Sequence, residues 1–154
     1  MIEIPPDRKL DIKHIVCDYN GTIAKDGIVK PEVAQLFQRL SENYMLHVIT
    51  ADTFGSVTQQ LEQSPVNIHI LSSHDHTREK ADYILSLGLQ QCAVLGNGNN
   101  DTLMLQTAAL GIAIMGEEGC ARETFLAADL LFGDISEALS LFIHPGRLIA
   151  TLRK

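Results

Sequence analysis

Short apolar runs alternate with amphipathic stretches from one end of the chain to the other. A run of apolar residues a few positions long, bounded by turn residues, is typical of a buried strand. Between these runs the apolar residues recur at helical spacing, as Val33, Leu36, Phe37 and Leu40 do. The pattern predicts strands at 12–18, 45–50, 66–71, 91–96, 111–115 and 129–132.

Capping residues indicate where the helices between these strands begin and end. Pro31 suits the first turn of a helix, Thr77 and Asp134 are candidate N-caps, and Gly88 is a candidate stop. The predicted helices cover 31–43, 54–63, 78–88, 100–110, 119–128 and 135–143, with a helical tail over 145–154. Strands that alternate with helices predict an α/β fold, a doubly wound Rossmann-like parallel sheet with helices on both faces.

One other feature interrupts this alternation. Asp26-Gly27 suits a tight reversal, so residues 22–30 are expected to form a small flap hairpin. The sequence shows no repeat, linker or low-complexity tract, and its 154 residues are expected to form a single domain over 1–154. The intervals between the predicted elements leave no room for a cap domain.

Composition and charge narrow the function classes. The net charge is −7 and basic residues form no run, which argues against nucleic-acid binding. No apolar run approaches the length of a membrane span, and the N-terminus lacks the layout of a signal peptide. The three cysteines are scattered without a paired motif, which favours a reducing, cytoplasmic location.

Polar residues with reactive potential stand where the predicted strands end. Asp18 ends the first strand, Thr50 ends the second, and the loop "GNGNND" over 96–101 follows the fourth. Open parallel sheets bind ligands outside the carboxyl ends of their strands, so these groups are expected on one edge. Taken alone, Asp18 is either a nucleophile toward a phosphoryl group or an ordinary turn residue.

The 96–101 loop offers oxygen ligands for a cation. Gly96 and Gly98 permit tight backbone paths, while Asn97, Asn100 and Asp101 carry oxygens of the kind that Mg²⁺ prefers. The loop lacks the last glycine of a dinucleotide fingerprint and follows the wrong strand for one. A polar turn without a ligand remains the alternative.

Two further groups are ambiguous by themselves. Lys80, in the first turn of a predicted helix, is either a solvated cation or a group that neutralises charge on a phosphoryl group. His74, Asp75 and His76 are either a transition-metal site, a border of the substrate entrance or a solvated loop.

Four motifs in order, "DYNGT", "VITAD", "REKAD" and "LGNGNNDTLML", resemble the haloacid dehalogenase (HAD) superfamily of phosphotransferases. The first, second and fourth look most like the phosphorylation domain of P-type cation ATPases. The resemblance covers nearly the whole chain and implies a small capless relative of that domain. It implies a HAD-type sheet and chemistry that depends on Mg²⁺.

The resemblance also implies roles for particular residues. Catalysis is implied for Asp18 as the phosphoryl acceptor, with Asn20, Thr50 and Lys80 around it. The implied metal set is Asp18, the backbone carbonyl of Asn20, and Asn97, with support from Asp101. The implied phosphate contacts are Gly21, Thr22, Thr50, Ala51, Lys80 and Asn100.

Two positions depart from the family pattern. Phosphatases of the superfamily usually carry Asp where this chain has Asn20, and this Asp protonates the leaving group and activates water. An amide cannot exchange that proton, and such help is typically worth ~10²–10⁴-fold. Asn97 also stands where Asp is usual, so one negative charge is missing from the implied metal site.

Three hypotheses follow. The first is a slow HAD-like phosphohydrolase or phosphotransferase that acts through an aspartyl-phosphate on a small phosphorylated molecule. The second is a catalytically impaired phosphate-binding or regulatory module, and the third is a partner of a larger transporter. The exposed active edge and the aliphatic tail also suggest a homo-oligomer.

Overall fold

A computed structural model describes residues 1–52 and 55–154. Most of its strands contribute to one central sheet, and the others pair as two short hairpins. In chain order the strands are β1 Ile2–Ile4, β2 Arg8–Leu10, β3 His14–Asp18, β4 Ala24–Lys25, β5 Ile28–Val29, β6 Met45–Thr50, β7 Val66–Ile70, β8 Cys92–Gly96, β9 Leu110–Ile114 and β10 Leu130–Phe132.

Helices separate the strands of the central sheet. In chain order they are α1 Pro31–Leu40, α2 Ser56–Gln60, α3 His76–Leu87, α4 Thr102–Thr107, α5 Arg122–Ala127, α6 Ile135–Ser140 and α7 Pro145–Leu152. Short 3₁₀ turns precede β8 and α4. Among the described residues, no helix has both the length and the apolar character needed to cross a membrane.

The central sheet has six parallel strands in the order β10-β9-β8-β3-β6-β7. β3 lies in the middle, paired with β6 on one side and β8 on the other. Every residue of β3 is buried, as expected for a strand covered on both faces. The doubly wound α/β fold predicted from the alternation of elements is confirmed.

Successive residues of the central strands enter two cores. Ile15 and Cys17 pack with α1, α6 and α7 on one face of the sheet. Val16 packs on the other face, where Ile84 of α3 and Met104 of α4 cover the sheet. This double burial follows from the period-two alternation of strand side chains, and it holds the strand ends rigidly beneath the candidate site.

Insertions between the core elements are small. The hairpin of β4 and β5 reverses at Asp26-Gly27, where both residues adopt positive φ angles. The described part of the interval between β6 and α3 consists of α2, β7 and short connections. In the residues that the structure describes, no cap domain covers the carboxyl edge of the sheet.

Three local predictions need correction. Asp75, not Thr77, caps α3, because its carboxylate accepts a hydrogen bond from the backbone N–H of Arg78. The helix predicted over 54–63 is limited to Ser56–Gln60, and Phe54 lies outside the described residues. The N-terminal hairpin of β1 and β2 was not predicted, because strands of three residues are too short to show a reliable period.

Candidate active site

Three neighbouring strands bring the candidate residues together. Asp18 ends β3, Thr50 ends β6 and Gly96 ends β8, and these strands lie side by side in the sheet. Together with the segments that follow them, they surround a cavity of about 230 Å³. Its lining residues are Asp18, Asn20, Thr50, Ala51, Leu71, Lys80, Asn97, Gly98 and Asn100. The sequence analysis selected all of these as site residues except Leu71 and Gly98.

Lys80 connects Asp18, at the end of β3, with the 96–101 loop. Its Nζ donates hydrogen bonds to Asp18 Oδ1 at 2.8 Å, Asp101 Oδ1 at 2.7 Å and Asn100 Oδ1 at 3.0 Å. These three bonds use all the protons of the ammonium group. The side chain of Lys80 is only 2% exposed, so the ammonium group depends on these partners in place of water.

The charges of this cluster are strongly coupled. Burial, reinforced by the nearby Asp101 carboxylate, raises the pKa of Asp18 to about 7 against the opposing effect of Lys80. Burial works against the charged form of Lys80, but the carboxylates of Asp18 and Asp101 outweigh it and raise its pKa. One buried cation therefore serves two carboxylates, and a further cation would relieve the excess negative charge.

Asp101 is engaged on both of its oxygens. Oδ2 accepts from the backbone N–H groups of Asn97 and Gly98, each at 3.0 Å, while Oδ1 accepts from Lys80. A Cβ at Gly96 would lie 2.6 Å from this carboxylate, so the loop requires glycine there. Asp101 is completely buried, and its hydrogen bonds join the loop to Lys80.

The side-chain oxygen of Asn97 faces the hydroxyl of Thr22, which also neighbours Asp18. Asn97 Nδ2 donates to the backbone carbonyl of Gly119 at 3.2 Å, and a carbonyl can only accept, which fixes the orientation of the amide. The hydroxyl of Thr22 lies 3.2 Å from both Asn97 Oδ1 and Asp18 Oδ2. Gly21 adopts φ +79°, and a Cβ there would overlap the Asn97 side chain.

This donor set fits a hard cation. A carboxylate oxygen of Asp18 and the amide oxygen of Asn97 are neighbours of one hydroxyl, and oxygen ligands of this kind suit Mg²⁺. Asn20 lines the same cavity. The described residues contain no group of three or more His, Cys, Asp or Glu side chains suited to a metal. A site here would therefore depend on amide and carbonyl oxygens as well as on Asp18.

Thr50 is placed to contact an anion in the cavity. Its side chain is almost fully buried, and its Oγ1 accepts a hydrogen bond from the backbone N–H of Asp52 at 3.1 Å. The hydroxyl proton is not used in that bond, so it can be donated to an oxygen of a ligand.

A second cavity, of about 300 Å³, adjoins the first and shares Asn20 and Ala51 with it. It lies between the flap hairpin, through Gly27, and α2, through Ser56 and Val57. None of its described lining residues carries a positive charge.

Two predicted phosphate contacts lie beside Asp18 or Asn97 but line a different cavity. Gly21 and Thr22 line a separate, smaller cavity together with Lys30 and Glu117. Thr22 still contacts Asp18, but the structure places both residues outside the cavity that Thr50 and Lys80 line.

The histidine loop is also set apart. Asp75 is used as the cap of α3, and neither His74 nor His76 lines the candidate cavity.

Comparisons with solved structures identify the fold. A 3-deoxy-D-manno-octulosonate 8-phosphate phosphatase from Moraxella catarrhalis, solved with magnesium, phosphate and a KDO molecule, superposes with a TM-score of 0.73. The two chains are 20% identical, over 93% of this chain and 94% of the other. The cobalt-bound form of the corresponding phosphatase from Haemophilus influenzae gives a TM-score of 0.73 at 12% identity, over 87% of this chain and 88% of the other.

The matches to two sequence relatives cover only part of each relative's length. A protein of Methanocaldococcus jannaschii described as uncharacterized is 48% identical over 59 residues, which are 38% of this chain and 63% of the relative. The phospholipid-transporting ATPase NEO1 of Saccharomyces cerevisiae is 30% identical over 141 residues, covering 84% of this chain and 12% of the ATPase. The chain thus spans less than two thirds of either relative. No protein-family model matches the sequence.

These findings confirm the resemblance drawn from the four motifs. The chain has the HAD-type fold, and its sequence is similar to a segment of a P-type ATPase.

Proposed function

We propose that this protein is a HAD-like phosphohydrolase or phosphotransferase that acts through an aspartyl-phosphate on Asp18. The observation that carries the proposal is the buried pair of Asp18 and Lys80, whose reactive atoms are 2.8 Å apart in an open cavity at the strand ends. Thr50 lines the same cavity, so a nucleophile, a cation and a hydroxyl donor converge on one volume.

A divalent cation, for which we propose Mg²⁺, completes the site. Asp18 Oδ2, Asn97 Oδ1 and the backbone carbonyl of Asn20 are the proposed ligands, because Asp18 Oδ1 is already bound to Lys80. When bound, the cation neutralises negative charge on the phosphoryl group. Asp101 positions Lys80 and the 96–101 loop, as its hydrogen bonds require.

In the first half of the reaction the chain supplies the nucleophile and the groups that hold the phosphoryl oxygens, while water replaces the acid that is missing at Asn20. A carboxylate oxygen of Asp18 attacks the phosphorus, the bond from phosphorus to the leaving oxygen breaks, and that oxygen takes a proton from water. Thr50 and Lys80 hold the phosphoryl oxygens in line for this attack. The acyl-phosphate formed on Asp18 retains the phosphoryl group.

The second half is slow because of Asn20. Hydrolysis of the acyl-phosphate requires a water molecule to lose a proton as it attacks phosphorus. The amide of Asn20 cannot accept that proton, and the missing general base is typically worth ~10²–10⁴-fold. The aspartyl-phosphate is therefore expected to be long-lived.

We propose a small phosphorylated molecule as the substrate. The cavity beyond Asn20 has a volume of about 300 Å³, enough for a leaving group of modest size. The Moraxella structure named above holds a phosphate ion and a KDO molecule, and its protein is a phosphatase of a phosphorylated sugar acid. The absence of positive charge among the described lining residues favours an uncharged, hydroxyl-bearing leaving group over an anionic one.

A turnover assay tests the nucleophile. Release of phosphate from a generic phosphomonoester is measured with Mg²⁺ for the wild type and for Asp18→Asn. Wild type is expected to turn over slowly and Asp18→Asn not at all, because the amide cannot form the acyl-phosphate. Equal rates in the two proteins would show that Asp18 is not the nucleophile.

The sample must be free of deamidated protein. Asn20-Gly21 and Asn97-Gly98 are both Asn-Gly sequences, which lose ammonia readily and give aspartate or isoaspartate. A trace of such product at position 20 would supply the missing carboxylate and imitate activity. Peptide mass mapping of each preparation serves as the control.

A second function is favoured by the two amides. Asn20 and Asn97 both stand where an acid would promote turnover or metal binding, which fits a module that binds phosphate without hydrolysing it. This reading predicts that phosphate with Mg²⁺ raises the melting temperature while no turnover occurs. Rates typical of phosphatases in the wild type would rule it out.

A further inference from the structure

Glu79 lies next to Lys80 in α3 but outside the candidate cavity. Its carboxylate accepts hydrogen bonds from the backbone N–H of Ser72 at 3.0 Å, the backbone N–H of Ser73 at 2.9 Å and the hydroxyl of Ser72 at 3.2 Å. Two consecutive backbone amides thus point at one carboxylate, which is the arrangement of an anion clamp.

The clamped segment forms part of the wall of the site. Ser72 follows Leu71, which lines the cavity and whose backbone N–H donates to the carbonyl of Thr50 at 2.8 Å. Glu79 therefore ties the loop after β7, which is attached to Thr50, to the turn of α3 that carries Lys80. The two residues proposed to hold the phosphoryl oxygens are connected through this clamp.

His69 lies near the carboxylate without a hydrogen bond to it. His69 Nε2 lies 3.8 Å from Glu79 Oε2, and the ring of His69 stacks on Tyr83 with centroids 4.4 Å apart. The backbone N–H of Ser72 is the main cause that lowers the pKa of Glu79, with contributions from Ser73 and His69 against the effect of burial. The Glu79 carboxylate is therefore negatively charged at neutral pH.

We propose that Glu79 is a positioning residue for Lys80 and for the segment at Leu71, which lines the candidate cavity. The claim that it affects turnover depends on the function proposed above, whereas the claim that it positions Lys80 does not. Glu79 does not line the cavity, so its loss would act through the placement of Lys80 relative to Asp18.

Removal of the clamp should change kcat more than KM. A small misplacement of reacting groups by a distant mutation can slow catalysis by as much as ~100-fold, so Glu79→Ala is expected to lower kcat by about 10- to 100-fold. Glu79→Gln keeps one acceptor oxygen and is expected to retain part of the activity. Glu79→Asp keeps the charge but is one methylene too short to reach both amides.

The chemical reactivity of Lys80 tests the placement without relying on turnover. Each protein is treated briefly with acetic anhydride, and acetylation of Lys80 is measured by peptide mapping. Glu32 is the matched control, because it is an exposed glutamate in the first turn of α1. Lys80 is expected to react at least about tenfold faster in Glu79→Ala than in wild type and at the wild-type rate in Glu32→Ala.

The outcomes distinguish a failure of the positioning role of Glu79 from a failure of the proposed function. Faster acetylation in Glu79→Ala, with Glu79→Gln intermediate, supports the clamp even if the wild type shows no turnover. Acetylation of Lys80 at the wild-type rate in Glu79→Ala would overturn it. If Glu79→Ala does not fold, the same comparison is made with Glu79→Asp, and an unchanged rate there overturns the proposal equally.

Discussion

Lys80 is a cation that faces two carboxylates buried at the strand ends, and it can balance one of their two negative charges. It contacts Asp18 and Asp101 at 2.8 and 2.7 Å, and all three side chains are buried or nearly so. Removing one partner from a buried ion cluster leaves uncompensated charge, which is far more costly than the loss of a surface pair.

Lys80→Met is therefore expected to destabilise the fold severely. The free energy of unfolding should fall by about 3–5 kcal/mol, because two carboxylates then face each other without a cation and one must take up a proton. Urea unfolding at neutral pH measures the loss. Lys25→Met is the control, since its ion pair with Glu117 is exposed to solvent and such pairs contribute little to stability. A similar small effect for Lys80→Met would contradict this account of the site.

Asn97 offers a direct test of the proposed metal ligands. Asn97→Asp adds a negative charge beside Asp18 and should tighten Mg²⁺ binding by about tenfold or more, because ligand charge sets affinity in such sites. Titration calorimetry measures the change, with exposed Asn43→Asp as the control. Unchanged affinity in Asn97→Asp would show that the amide oxygen does not face the metal.

At the scale of residues, the sequence predicted where the candidate side chains lie better than it predicted which atoms they contact. Asp18 and Thr50 could be placed at one edge because strand ends of a parallel sheet meet there. The sequence could not show that Thr22 lies between Asp18 and Asn97, or that both oxygens of Asp101 are occupied. Such contacts depend on side-chain orientation across 75 positions of sequence, as between Thr22 and Asn97.

At the scale of elements, a chain of polar rings crosses the sheet beneath α3. His14 of β3 lies 3.0 Å from His47 of β6, and His47 lies 2.8 Å from the hydroxyl of Tyr83 in α3. Burial lowers the pKa of His47 to about 4, assisted by the neighbouring His14. Burial also lowers the pKa of His14, assisted by the charge of Lys13. Both rings are therefore neutral in the folded protein at neutral pH.

This network should make stability depend on pH. An unfolded histidine takes up its proton near pH 6.5, whereas folded His47 does so near pH 4. The contribution of His47 to stability is therefore fully present above about pH 6.5 and is lost as the pH falls from about 6.5 to about 4. The loss from pH 7 to pH 5 is expected to be on the order of 1–2 kcal/mol greater in wild type than in His47→Gln. Urea unfolding at the two pH values measures it. Equal losses in both proteins would mean that His47 does not titrate in this way.

The elements themselves were well predicted in type and less well at their ends. Period and capping signals located the strand Met45–Thr50 and the cap at Asp134, whose carboxylate accepts from Ser136 and Glu137. Helix α4 is shorter than its apolar pattern suggested at both ends: a 3₁₀ turn occupies Asn99–Asp101, and the helix ends at Thr107, before β9 begins at Leu110. That turn follows from the hydrogen bonds of the loop, which a local pattern does not encode.

At the scale of the whole molecule, the chain combines a HAD-type fold with amides at Asn20 and Asn97, where the family it resembles usually has acids. The strand order was not predicted, whereas the parallel sheet and the meeting of Asp18, Thr50 and the 96–101 loop at its carboxyl edge were predictable from the alternation of elements and the four motifs. The size and charge of the adjoining cavity were not, because it forms between α2 and the flap hairpin, which are distant in sequence from most of the site. The central claim is that Asp18 accepts a phosphoryl group and releases it slowly.

Trapping the phosphoenzyme tests this claim most directly. The protein is incubated with Mg²⁺ and acetyl phosphate, quenched in acid, and its intact mass and phosphopeptides are measured over time. We predict one added phosphoryl group on Asp18 in wild type, none in Asp18→Asn, and a markedly shorter lifetime in Asn20→Asp, where a carboxylate can activate water. No adduct in wild type, or the same adduct in Asp18→Asn, would contradict the account.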